Sequence, residues 1–360
     1  MSDVNIDVNP HIVNLKESAT LRINQMAKQA RNKGKEVFHF GFGQSPFPVP
    51  EKIVRALKEH SSEKDYLPTL GLSTLREQIV SFYKDMFSYD FDVEHILVGP
   101  GSKELIFQCL FVLEGSVIIP APSWVSYGPQ VNIIGKHIIR AVTQRENDYK
   151  MTAENLRNVC SLLPNEQKIL IINSPNNPTG QVYSDSEMQA LVEVCRQERV
   201  IIISDEIYAM IDFTGEKKKG FHHYYPEGTI VTAGLSKSHS AGGYRLGFLA
   251  APPNMTEVIN CLSSMVSETF SAVSAPIQYA AIEAYKYDEE LKEYFAVCNA
   301  IHRASGNYIC ERLNSMNVDT PSPKGAFYVF PDFSGYKSKL EKAFGVSTST
   351  QMSKILWEHN

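Results

Sequence analysis

An α/β architecture, doubly wound around a sheet of mainly parallel strands, is what this 360-residue sequence predicts. Three observations carry that expectation. Short apolar runs alternate with stretches of helical spacing from about residue 95 to 250, the order that lays helices on the faces of a sheet. The runs, such as Ile169 to Ile172 and Val200 to Ile203, are continuously apolar, which suits parallel strands buried on both faces. Ser184-Asp185-Ser186-Glu187 ahead of an apolar helix reads as a capping box, where each end residue accepts from the other's backbone N–H.

Along the chain, residues 1–13 read as a loose arm containing Pro10. Residues 14–33 have helical spacing (Leu15, Leu21, Ile23, Met26, Ala27, Ala30) and stop at Gly34. A strand is expected from Val37 to Phe42, running into GQSPFPVP, whose prolines exclude regular structure. Helices are expected over 51–60 and 73–87, a strand at 95–98, a helix from 102, a strand at 117–119, a helix from 124 and a strand at 137–142. Ile230 to Thr232 and Leu246 to Ala250 are further strands. Beyond Ser274 helical spacing extends to about 314, and PKGAFYVFPDF reads as a strand in a smaller lobe. The expected division is residues 1–48 as arm and part of a small domain, 49–295 as the large domain, and 296–360 as an incomplete small C-terminal α+β domain.

Composition excludes several classes. A net charge of −5 gives no electrostatic case for nucleic acid. The one basic cluster, Lys217-Lys218-Lys219, sits between glycines and reads as a solvated loop. Six scattered cysteines without a C-x-x-C pair indicate neither a zinc site nor a disulfide framework, and His222, His223 and His239 lack partners at metal-ligand spacing. No apolar run reaches membrane-spanning length, and the N-terminus is too polar for a secretory signal, so a cytoplasmic protein with reduced thiols is expected.

The stretch AGLSKSHSAGGYRLGFLAAP holds the chemistry. An apolar strand delivers Lys237, and desolvation at such a strand end disfavours the ammonium and lowers its pKa. That suits an amine that attacks a carbonyl. Three other stretches precede it in order: LVGPGSKELIF (97–107) with PAPSWVSY (120–127), LIINSPNNPTG (170–180), and VIIISDEIY (200–208). Together with SKSHSAGGYRLGF they resemble the class I and II aminotransferases, fold-type I enzymes that use pyridoxal phosphate. The resemblance runs from about residue 35 to the end.

That resemblance implies a role for each matching residue. Lys237 resembles the lysine that binds the cofactor aldehyde and, once freed, moves the substrate's α-proton. Asp205 resembles the aspartate paired with the ring nitrogen, keeping it protonated. Tyr208 and Asn177 resemble the two donors to the ring's phenolate oxygen, and the family suggests a cis bond before Pro178. The phosphate is expected at a helix N-terminus formed by Gly101, Ser102 and Lys103, with Ser236 and Arg245 as side-chain ligands. Trp124 resembles the aromatic stacked on the ring, and Tyr66 the tyrosine that reaches the phosphate of a neighbouring subunit, which implies a homodimer with composite sites. Gly43, with Trp124 and Asn177, is expected beside the substrate.

The sequence departs from the family in three places. Gly234 stands where many members have a serine three before the lysine, and Gln44-Ser45 replaces an acid and a proline after Gly43. No arginine follows Arg312. The family's clamp for the substrate α-carboxylate lies on a strand beyond the last helix, so the chain is expected to be part of a longer protein. Transfer of an amino group between an L-amino acid and a 2-oxo acid is the first expectation. A β- or γ-elimination lyase, a cyclopropane-forming synthase and a cofactor-binding module without activity are the alternatives. The tryptophan and the PSWVSY wording resemble the aspartate-type and broad-specificity aromatic branch.

Overall fold

The computed structural model describes residues 6–13, 15–17, 19–38, 40–41, 43–215 and 219–358. Among these, seven strands form one sheet: β1 (Ile96–Gly99), β2 (Ser116–Ala121), β3 (Ile138–Val142), β4 (Lys168–Asn173), β5 (Val200–Asp205), β6 (Thr229–Gly234) and β7 (Gly247–Ala250). Their order is β1-β7-β6-β5-β4-β2-β3. β7 runs antiparallel to both neighbours, and the other pairings are parallel.

Alternation along each strand feeds two layers, as the pleat requires. Ile169 and Ile171 of β4 pack with Leu105, Ile106 and Leu110 of helix Ser102–Val112 and with Leu262 of helix Thr256–Ser267. Leu170 and Ile172 face the other way, onto Leu156 of helix Ala153–Ser161 and Leu191 of helix Asp185–Glu198. On that same face, but under β6 and β7, Val231, Phe248 and Ala250 pack with Ile53, Leu75, Ile79 and Ala281 from helices Glu51–Glu59, Ser73–Phe87 and Ala275–Ala284. Helices therefore cover both faces of a mainly parallel sheet. The capping box at Ser184 is present in both halves, Ser184 with Glu187.

Several elements differ from expectation. Residues 37, 38, 40 and 41 are not in a strand, while His39 and Phe42 lie outside the described residues; Phe38 and Phe40 are exposed, and none of the described strands pairs with them. The expected strand over PKGAFYVFPDF reduces to the single bridges Asp212↔Gly325 and Asp319↔Asp332. Gly325 is forced: a Cβ there would sit 2.7 Å from the Ile211 carbonyl. The helical region after Ser274 is two helices, Ala275–Ala284 and Glu289–Ser315, because Asp288 caps the second by accepting from Leu291 N–H at 3.1 Å. The helix expected from 124 begins at Tyr127. Helices Ala153–Ser161 and Thr256–Ser267 were not expected; the first opens on a Thr152–Asn155 capping box that the usual Glu or Gln signature does not describe.

Phe248 is fully buried against Tyr83, Phe91 and Tyr285, with ring centres 5.0 to 6.5 Å away. Phe248→Ala is expected to lower unfolding free energy by about 3–5 kcal/mol, the range for truncating a core phenylalanine. A urea midpoint within error of wild type would contradict this packing.

Candidate active site

Register places Asn173, Asp205 and Thr232 side by side at the carboxyl ends of β4, β5 and β6. In open α/β sheets the crevice outside those ends is where ligands bind. β6 leads directly into the segment bearing Lys237. Its ammonium donates to the Gly43 carbonyl at 2.5 Å and lies 5.8 Å from the ring centres of Tyr208 and Phe327. Burial pushes its pKa down to about 8; Asp205 opposes the fall, while Lys103 and Arg245 add to it. The amine therefore has a substantial neutral fraction near pH 8.

Asp205 is 3% exposed, and burial raises its carboxyl pKa to about 6 against the pull of its donors and of Lys237. Those donors are the Tyr127 hydroxyl at 2.7 Å and the Ile207 N–H at 3.3 Å. Asn173 fastens the neighbourhood: its amide donates to the Asp205 carbonyl at 2.7 Å, and its side-chain oxygen accepts from Asn177 N–H at 2.7 Å. The Asn177–Pro178 bond is cis, as are Ala121–Pro122 and Ser174–Pro175. The Asn177 side chain meets the Tyr208 hydroxyl, and that hydroxyl is 2.6 Å from the hydroxyl of Tyr328. Burial holds Tyr208 well above the ordinary tyrosine pKa, so it is a proton donor at neutral pH.

An anion cradle adjoins this group. Gly101, at φ +93°, turns the chain into helix Ser102–Val112, whose first N–H groups have no acceptors within the helix. Arg245 stands over that turn: its guanidinium donates to Gly242 O at 2.8 Å and to Pro100 O at 3.1 Å. A Cβ on Gly101 would come within 2.6 Å of Arg245 Nη2, and one on Gly247 within 2.7 Å of Ser102 N. The glycines keep the cradle open, and a helix N-terminus facing a guanidinium fits a phosphate. Gly234, in place of serine, follows from packing: a Cβ there would meet Leu246 O at 2.7 Å.

Ser236 is partly exposed beside Gly242 on the Arg245 loop. Lys103 is exposed overall, but its ammonium lies 5.0 Å over the Trp124 ring; partial shielding and Arg245 lower its pKa. Trp124 stands edge-on to Tyr127, centres 5.3 Å apart, and Gly43 is reached through its carbonyl. The structure thus gathers Lys237, Asp205, Tyr208, Asn177, Gly43, Gly101, Ser102, Lys103, Arg245, Ser236 and Trp124 around the sheet's carboxyl edge. Tyr66 is 96% exposed on the surface. Tyr127, Asn173 and Tyr328 were not singled out from sequence. Tyr127 and Asn173 sit inside stretches already marked, while Tyr328 lies in the segment read as a strand.

Comparisons with known proteins identify the family. The family described as aminotransferase class I and II matches residues 35–360. An aspartate aminotransferase of Geobacillus stearothermophilus is 34% identical over 330 residues, 89% of this chain and 82% of that protein. A probable aspartate/prephenate aminotransferase of Aquifex aeolicus is 32% identical over 339 residues, 91% and 84% of the two chains. The solved aspartate aminotransferase of Thermus thermophilus with maleate superimposes with a TM-score of 0.87 at 26% identity, covering 94% of this chain and 89% of that one. The fold is that of the fold-type I transferases. The chain belongs to the class I and II aminotransferases and is a pyridoxal-phosphate-dependent transaminase.

Behind Asp205 the next residue, Glu206, is buried without a basic partner among the described residues. One carboxyl oxygen accepts from Tyr89 and Ser204, both at 3.0 Å; the other has no partner. Burial pushes its pKa up to about 7, with a smaller push from Asp205. The native state therefore holds this proton more tightly than the unfolded chain. Its contribution is fully present below the unfolded value and is lost as pH rises through about 7; at ~1.4 kcal/mol per unit the total is roughly 3 kcal/mol. Glu206→Gln, which cannot ionise, is expected to remove most of that slope, gaining roughly 2–3 kcal/mol on wild type between pH 5 and 8. Parallel pH–stability curves in urea would contradict the assignment.

Proposed function

We propose that this transaminase acts on an acidic L-amino acid of the aspartate type and a 2-oxo acid, with pyridoxal phosphate held at the carboxyl edge of the sheet. One observation carries the placement: a half-buried amine with a lowered pKa faces a buried carboxyl, beside an open anion cradle. The cofactor, when bound, supplies an aldehyde and a protonated ring that draws electrons from the substrate. Ser102 and Lys103 N–H, Arg245 and Ser236 would hold its phosphate, Asp205 its ring nitrogen, Tyr208 and Asn177 its ring oxygen, and Trp124 its face. When not bonded to the cofactor, the Lys237 amine would accept the proton that leaves the substrate's α-carbon and would be the group that hands it back during the transfer. Gly43 O steadies that ammonium while it carries the proton.

The substrate class rests on Lys103. Its ammonium has no carboxylate partner among the described residues and lies on Trp124 at the rim of the site. A distal carboxylate of the substrate completes it, in keeping with the names of the relatives and with the maleate in the Thermus thermophilus structure. Lys103→Met leaves the backbone cradle intact and is expected to reduce kcat/KM for aspartate by about 10–100-fold, the loss of one charge-assisted hydrogen bond, while leaving a neutral amino acid within about 2-fold. Equal loss on both substrates would reject the distal-carboxylate role.

We further place a second copy of the chain over Tyr66, Phe38 and Phe40, which are 96%, 74% and 86% exposed. The arm and residues 296–360 form the smaller domain in this reading. No helix among the described residues is long and apolar enough to cross a membrane. The cysteines are free thiols, which supports a reducing, cytoplasmic setting.

Capture of the cofactor tests the reading directly. The neutral amine is the nucleophile, so the rate at which the chain takes up pyridoxal phosphate is expected to rise with pH and level off above about 8. Lys237→Ala is expected to show no covalent cofactor band and to lose the half-reaction with L-aspartate by at least ~10³-fold. A covalent band that persists in that variant would overturn the assignment.

A further inference from the structure

Tyr328 arrives at the site from the far end of the sequence. Its hydroxyl is 2.6 Å from that of Tyr208, and their rings cross at 83° with centres 5.5 Å apart. The segment that carries it is fastened on either side of the two donors already described. Lys324 N–H and Gly325 N–H donate to Gly180 O at 2.8 and 3.0 Å, closing the loop of Asn177. Ala326 N–H donates to Ile211 O at 2.7 Å, just beyond Tyr208, and Phe213 N–H returns to Lys324 O at 2.8 Å. On its other side, Tyr328 fills the space above Gly43: a Cβ on that glycine would come within 2.0 Å of the Tyr328 hydroxyl oxygen. Gly43 in turn accepts from Lys237.

Donor arithmetic gives this contact a direction. A tyrosine hydroxyl has one proton and two lone pairs. If Tyr208 donates to Tyr328, no proton remains for the cofactor's ring oxygen. If Asn177 and Tyr328 both donate to Tyr208, its lone pairs are filled and its single proton is left for that oxygen. We propose that Tyr328 is a positioning residue: with the cofactor bound, it donates to the Tyr208 hydroxyl and so commits the Tyr208 proton to the ring oxygen. Filling the acceptor side also polarises the Tyr208 O–H, as in any chained pair of hydroxyls. Both phenols remain protonated in this setting, because burial pushes Tyr328 up to about 12 and holds Tyr208 well above the ordinary tyrosine value. The inference rests on the reading that Tyr208 meets that oxygen, and its test separates the two.

The readout is the visible spectrum of the holoenzyme titrated with pH. A donor to the ring oxygen stabilises its negative charge and holds down the pH at which the lysine–cofactor linkage takes up a proton. Tyr328→Phe keeps the ring and removes only the hydroxyl. It is expected to raise the titration midpoint by roughly half to one unit, the weight of one neutral hydrogen bond. Tyr208→Phe is expected to raise it further. In the Tyr208→Phe background, Tyr328→Phe is expected to add nothing, because its effect passes through Tyr208. A shift with Tyr208→Phe but none with Tyr328→Phe overturns this inference and leaves the site assignment standing. Additive shifts also overturn it, since Tyr328 would then act on the cofactor without Tyr208. No shift with Tyr208→Phe overturns the reading beneath it.

Discussion

The structure depends on holding a half-buried amine and a buried carboxyl together at the carboxyl ends of neighbouring parallel strands. Burial disfavours the charged form of each, and the net result is Lys237 lowered to about 8 and Asp205 raised to about 6. Their mutual attraction opposes both shifts, and the two hydrogen bonds that Asp205 accepts favour its ionised form. Lys103 and Arg245 push the other way on the lysine. The outcome is a lysine neutral enough to react and a carboxyl that ionises near neutrality. Strongly shifted groups of opposite sign in one crevice are the usual mark of a reactive site.

Sheet topology sets where those groups can be. Parallel neighbours place their carboxyl ends together, so one crevice collects the last residues of β4, β5 and β6 and the loops that follow. The antiparallel β7 then brings Gly247 against Ser102 and fixes the segment just before it, where Arg245 faces the helix N-terminus. Charge from the guanidinium and the helix therefore adds at one spot. Close approach of these backbones explains why Gly234 and Gly247 carry no side chain, while at Gly101 the positive φ and the overlying Arg245 guanidinium favour glycine.

How much of this was legible follows from what each residue acts on. β4 and β5 were readable because both faces are covered and their apolar runs are continuous. Lys237 was readable because a lysine just past an apolar run stands where burial disfavours it, whereas Asp205 and Asn177 were readable only because VIIISDEIY and LIINSPNNPTG resemble the family's motifs. Tyr127 and Asn173 act on Asp205 and Asn177 rather than on a ligand, and Asn173 reaches Asp205 only through the β4–β5 register. Such second-layer contacts carry no spacing signal. The described residues of 37–41 and the segment around Tyr328 share one feature: a local β pattern with no full ladder among the described residues.

Gln44-Ser45, the departure after Gly43, shows how a lost motif can be replaced by geometry. Ser45 is buried, and its hydroxyl lies 2.6 Å from that of Ser240, three residues after Lys237. Ser240, at φ +55°, is also 2.7 Å from the Tyr294 hydroxyl, which donates to Pro48 O at 2.8 Å. Three hydroxyls in a row thus tie both ends of the Gly43–Pro48 segment to the lysine loop and to helix Glu289–Ser315. A proline at 45 could not begin that chain, since it offers no hydroxyl. The segment needs such a tie because two constraints meet on it: its Gly43 carbonyl receives the lysine, and its Gly43 Cα lies beneath Tyr328. Displacing it by an ångström would disturb both, so the serine chain fixes distances at the reacting amine without touching it.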